Sequence, residues 1–213
     1  MLSIQKMVPL ISAALCLACL PARADTHQPE TSIVRTNLAE SNCEIADSVN
    51  AAGALVFTCT GEGGWTLFLH DYLNQMTLSL ENEAGANSGE MRFDQRGSDG
   101  ELGQRIEWVY AGETLLGLTV GYSETPLAGE ANGAYNVYSI AIKPDQTPSA
   151  CVMSRVEFGR VRGVTSAARQ VITSMADGWD CAEDQRIDFS PETINGQPYS
   201  QAVRESARAR SGN

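Results

Sequence analysis

The stretch from Cys151 to Cys181 constrains the fold most, because a strand, a turn, a helix and two cysteines follow one another within it. In Cys151-Val-Met-Ser-Arg-Val-Glu-Phe158 the apolar Val152, Val156 and Phe158 fall at even spacing, the period of a half-buried strand. Gly159 and Gly163 bracket a turn, and from Thr165 the period changes. Ala168, Val171, Ile172, Met175, Ala176 and Trp179 then form one face of a helix. A strand of about eight residues spans roughly 26 Å and a helix of about 16 residues roughly 24 Å. Run antiparallel, the two return Cys181 beside Cys151, and a bridge there would pin the helix across a sheet.

The cysteines also bear on compartment. The chain opens as a secretory signal does, with Lys6, an apolar run from Val8 to Leu20, and Ala22-Arg23-Ala24 ahead of Asp25. Cleavage is expected after Ala24. The apolar run is too short to cross a bilayer, which takes roughly 20 residues, and no later stretch approaches that length. Cys16 and Cys19 fall inside this leader, so no redox or metal chemistry is read into them. Removal of 24 of the 213 residues leaves 189, enough for one domain with a core. Four cysteines remain, and an even number in an exported chain reads as two disulfides. Of the three connectivities, Cys43–Cys59 with Cys151–Cys181 is favoured because each pair brackets a locally closed unit. A four-cysteine zinc site would need closer paired spacing.

Alternating apolar residues mark further strands. Leu55, Phe57 and Cys59, then Trp65, Leu67 and Leu69, then Met76, Leu78 and Leu80 make a three-strand meander punctuated by Gly61-Glu-Gly-Gly64 and Asp71-Tyr-Leu-Asn74. Arg105–Tyr110, Thr114–Val120 and Tyr135–Ile142 add three more. Residues 82–104 are rich in Glu, Gly, Asn, Ser and Asp and read as a mobile acidic loop. The fold class expected is mainly β to α+β: about seven antiparallel strands in a sandwich or partly open barrel, with one packed C-terminal helix. Residues 25–40 read as a loose leader with a strand at Thr31 to Arg35, 41–188 as a single disulfide-stabilised domain, and 189–213 as a flexible tail.

Charge excludes some partners. The formal net charge is −11, and it becomes −13 without Lys6 and Arg23 of the leader. All of that excess lies before Cys151. Nucleic acid would be repelled, whereas a cationic protein would be drawn in.

Candidates for chemistry are few. The histidines are His27 and His70; His70 adjoins Asp71, but neighbours on a strand point to opposite faces. With the mature cysteines oxidised no thiol nucleophile remains, and no serine stands in a G-x-S-x-G setting. Asp94-Gln-Arg-Gly-Ser-Asp-Gly-Glu101 lacks the alternating oxygens of a calcium loop. Asp177, Asp180, Glu183, Asp184 and Asp188 follow the helix, where its dipole disfavours acids. No catalytic residue, metal or cofactor is therefore expected. Arg160 and Arg162, at the helix start, together with Arg155, form a candidate anion site; the competing reading pairs them with the chain's own carboxylates.

Several of these residues also carry resemblances. Phe57-x-Cys59-x-Gly61, Asp71, the pair Glu107-Trp108, and the closing run Cys151, Val156, Ala168-Arg169, Ala176-Asp177, Cys181 and Asp184 resemble a group of exported alphaproteobacterial proteins with no assigned activity. That resemblance spans roughly Cys43 to Asp184 and implies export and paired cysteines. It supplies no reaction. The group more often has an arginine two residues after Asp71, where this chain has none. More loosely, Phe57-Thr-Cys-Thr-Gly61, Trp65–Leu69 and Met76–Leu80 are similar to the opening strands of periplasmic inhibitors of chicken-type lysozyme. Ser88-Gly-Glu-Met-Arg-Phe93 stands where those proteins carry a Ser-Gly-x-x-Tyr loop, the tyrosine replaced here by Phe93. The function expected is that of a non-enzymatic periplasmic or secreted binding or structural protein. The alternatives are an acidic inhibitor of a cationic hydrolase such as lysozyme, and a hydrolase with a carboxylate or metal-assisted site.

Overall fold

A computed structural model describes residues 30–39, 42–46, 53–93, 99–126, 128, 133–158 and 163–212. The expected signal peptide with Cys16 and Cys19, His27, Arg160, Arg162 and the 94–98 part of the acidic loop lie outside the described residues.

The two sheets follow from the alternation in the sequence. Strands β2 (Cys43–Ile45), β3 (Leu55–Thr60), β4 (Trp65–Asp71) and β5 (Met76–Asn82) pair in sequence order as a four-stranded antiparallel sheet. Strands β1 (Thr31–Asn37), β6 (Gly100–Ala111), β7 (Thr114–Glu124), β8 (Tyr135–Ile142), β9 (Ala150–Glu157) and β10 (Ile187–Phe189) form the second sheet in the order β1-β6-β7-β8-β9-β10. Its pairs are antiparallel except β9–β10, which is parallel. The sheets do not close into a barrel. Leu67, Leu78 and Leu80 of the small sheet pack against Ile106, Trp108, Leu118 and Ile140 of the large one, all of them buried.

The large sheet is apolar on both faces, which is why β7 and β8 read as near-continuous hydrophobic runs. Val109, Val137, Ala141 and Val156 face away from the small sheet, and helix α1 (Val164–Met175) lies on them with Ala168, Val171 and Ile172. The result is three layers: small sheet, large sheet, helices. Small residues let α1 come close. A Cβ at Gly117 would stand 2.2 Å from the Ile140 carbonyl oxygen and 3.2 Å from Ile172, so any side chain there would push helix and strand apart. Ser139 Oγ donates to the Ala168 carbonyl at 2.8 Å and accepts from Ser154 Oγ at 2.9 Å, satisfying buried polar groups in that contact.

Both expected disulfides are formed. Cys43 and Cys59 face each other across β2 and β3, with Cα atoms 4.3 Å apart. Cys151 at the start of β9 bonds Cys181 beyond α1. The β8–β9 turn strengthens this anchor: Lys143 Nζ donates to the Asp177 carbonyl at 2.7 Å, and Gln146 Oε1 accepts the Cys181 N–H at 2.9 Å. A lysine at a helix C-terminus also meets the negative end of its dipole.

Two expectations are corrected. The described part of 82–104 is not a mobile loop. Leu78 and Met91 exchange backbone hydrogen bonds at the edge of β5, and Phe93 is fully buried between Tyr122 and Tyr138, whose hydroxyl donates to the Phe93 carbonyl. Nor is the described part of 189–213 a flexible tail. It continues from β10 into helix α2 (Tyr199–Ser211), a second helix whose Tyr199, Ala202 and Val203 are buried against the α1 layer. Arg210 of α2 stacks over Trp179 at 4.4 Å and ion-pairs with Asp184. The acids after α1 therefore do have an offsetting cation, one supplied from residues that show little apolar pattern.

Removing the Cys151–Cys181 bridge as a double alanine variant is expected to cost about 3–4 kcal/mol for its loop of 30 residues, read as a lower urea midpoint with a steeper slope, because the unfolded chain loses its cross-link and expands. A second outcome concerns pH. Burial alone would raise the Asp184 pKa, but the Arg210 hydrogen bond, the Asp180 N–H and the Arg210 charge outweigh it and hold it below its ordinary value. A carboxylate depressed on folding contributes stability above its unfolded pKa, near 3.9, that is lost as pH falls through the folded value. Amide exchange in α2 should thus accelerate below about pH 4 more than in β4, and Asp184→Asn should abolish that difference.

Candidate functional site

Register places one set of polar residues on the helix side of the large sheet. Arg35 of β1 stands opposite Glu107 of β6, Asn37 opposite Arg105, Glu107 opposite Thr119 of β7, and Gly121 opposite Val137 of β8. Helix α1 covers this face mainly over β7, β8 and β9. The end toward β1 stays open as a groove of about 810 Å³, walled on the other side by Thr165 and Arg169 of α1 and by Tyr135.

Glu107 organises the groove. Its side chain is only 7% exposed, yet it sits between two guanidinium groups. Arg169 binds it through two nitrogens, Nε to Oε2 at 2.7 Å and Nη2 to Oε1 at 3.1 Å, and Arg35 Nε donates to Oε1 at 3.0 Å. Such charge-assisted forks fix geometry as well as adding energy. One carboxylate thereby ties β1, β6 and α1 together. Arg105 is exposed and forms no ion pair among the described residues, and 54% of the Arg35 side chain is open to solvent. Three arginines against one glutamate give the groove a net positive charge in an acidic protein. Thr165 brings the first turn of α1 to the same place, and that turn has no side-chain cap on its N–H groups.

The sequence-level candidates fare differently. Arg155 does not reach the groove: it lies between Ser154 and Val156, which face α1, and it pairs with Asp188 at 3.5 Å and Glu157 at 3.9 Å. Arg186 joins Asp188 at 3.0 Å. His70 is close to Ser79, Nε2 to Oγ 2.9 Å, on the outer side of the small sheet. Among the described residues no group of three His, Cys, Asp or Glu side chains is arranged to hold a metal. Ser88 is buried and hydrogen-bonded to Leu80 N–H and Gly89 O, so this segment does not offer its serine to a partner. Glu90 is held by the Tyr72 and Thr77 hydroxyls.

A second cleft, about 350 Å³, opens at the end of β4 and carries Asp71, Asp99 and Glu101; Leu73, 95% exposed, stands on its rim. It gathers carboxylates from two sheets, the arrangement a carboxylate-based hydrolase would need. Asp71, however, already caps the Leu73 N–H at 2.8 Å.

Sequence periodicity did not single out Arg35, Arg105, Glu107 or Arg169. The available signal was a lone carboxylate inside Ile106-Glu-Trp-Val109, flanked by residues that are fully buried. Comparison with known proteins returns no matching family model, no matching curated protein and no matching solved structure.

Because Glu107 is buried and holds three guanidinium bonds while Arg35 is half open, the two ends of the knot should differ in cost. Glu107→Gln is expected to lower stability by about 2 kcal/mol and Arg35→Gln by less than about 1 kcal/mol, measured by urea unfolding.

Proposed function

We propose that this is an exported, periplasmic, non-enzymatic binding protein that holds a small anionic ligand in the arginine groove of its large sheet. The observation that carries this reading is the convergence of Arg35, Arg105 and Arg169 from three separate elements on one open groove, with Arg105 left without an ion pair among the described residues. Forked donors of this kind recognise carboxylates, sulfates and phosphates. Glu107 is unsuited to serve as a general base, since its oxygens already accept three N–H bonds. Export is supported by the leader-like opening of the sequence and by two disulfides, which persist in oxidising compartments.

Calorimetric titration with citrate at low ionic strength tests this. Binding is expected, weakened about tenfold by Arg105→Ala and reduced by added salt, while Glu101→Gln in the acidic cleft leaves it within about twofold. Absence of citrate binding, or equal affinity in the Arg105→Ala variant, would overturn the reading.

A further inference from the structure

We infer that the groove's ligand is an acidic oligosaccharide, a short chain of pyranose rings bearing carboxylates; this rests on the anion-binding reading above. The groove is too polar for a lipid. Apart from Val137, Gly121 and one aromatic ring, its walls are guanidinium groups, the Glu107 carboxylate they hold, and hydroxyls and amides, among them Thr36, Asn37, Gln104 and Thr119. These neutral side chains donate and accept in the alternating way that sugar hydroxyls require. At about 810 Å³ it lies in the upper part of the range for small-ligand sites, large enough for more than one ring.

The aromatic component is built in. Tyr135 lies across Gly121, where a Cβ would come within 2.3 Å of the tyrosine hydroxyl oxygen, so the ring keeps its place only because that residue is glycine. Tyr135 is 39% exposed and meets Phe158, 62% exposed, edge to face with ring centroids 6.0 Å apart. Tyr135 lines the groove and Phe158 packs beside it, so an exposed aromatic pair adjoins the guanidinium groups. A pyranose presents a C–H face to such a ring and hydroxyls at its edge, while its carboxylate reaches the guanidinium groups. A nucleotide also combines a flat face with anions, so a short oligonucleotide is the control that separates the two ligand classes.

The test compares four probes on the full chain by calorimetry: a galacturonate trimer, the corresponding neutral galactose trimer, citrate, and a short oligonucleotide. The galacturonate trimer should bind and the neutral trimer should not; Arg105→Ala should weaken both galacturonate and citrate. Tyr135→Ala, and independently Phe158→Ala at the more exposed ring, should weaken the galacturonate trimer about tenfold more than citrate. If citrate and the trimer lose affinity equally in both aromatic variants, or if a short oligonucleotide binds more tightly than the trimer, the saccharide assignment is overturned while anion binding stands. If neither anion binds, both are overturned.

Discussion

A six-stranded sheet with apolar side chains on both faces must be covered twice, and the way this chain meets that requirement decides everything else about it. The small sheet covers one side completely enough to bury Ile106, Trp108, Leu118 and Ile140. The other side is covered by α1, whose position is set by the Cys151–Cys181 bond and by Lys143 and Gln146 gripping its C-terminal end. A single helix is narrower than the sheet it lies on. The part toward β1 is left open, and there the face turns from valine and alanine to arginine, asparagine and threonine. The groove is thus a consequence of incomplete coverage, with Glu107 and Arg169 marking where the helix stops shielding the sheet.

Much of this was legible because it is local. The change from an even to a helical period between Cys151 and Trp179 identifies β9, α1 and the disulfide that joins them, and the alternation in 55–80 identifies three strands of the small sheet in order. What stayed hidden depends on distant partners. Helix α2 contributes few apolar side chains, so its sequence resembles a solvated tail until Trp179, Asp184 and α1 are in place to receive Tyr199, Val203 and Arg210. Met91 and Phe93 are two apolar residues in a stretch otherwise composed like a loop, yet Phe93 fills the space between two buried tyrosines. The groove is the extreme case. Arg35 and Glu107 are 72 residues apart and Glu107 and Arg169 are 62 apart, and no windowed pattern registers such pairs. The fold alone brings Glu107 and Arg169 into a bidentate contact.

Charge is distributed with the same logic. Near Asp71, Asp99 and Glu101 the molecule presents a carboxylate-lined cleft, and on the other side of β6 it presents guanidinium groups. In the C-terminal third, Arg155 and Arg186 pair with Asp188 and Arg210 with Asp184, while Arg204 and Arg208 are exposed on α2. Arg210 thus offsets an acid beyond the end of α1, and Arg155 and Arg186 neutralise one in β10. Arg35 and Arg169 both hold the fold through Glu107 and line the groove, and Arg105 beside them forms no ion pair among the described residues.

Which arginines meet the ligand can be read directly from the arginine Nε–H resonances of the labelled protein as citrate is added. The account predicts shifts at Arg35, Arg105 and Arg169, with Arg155, Arg186 and Arg210 unmoved. Shifts confined to the latter three, or no shift at Arg105 at saturating citrate, would contradict the claim that the uncovered end of the large sheet is where this protein binds.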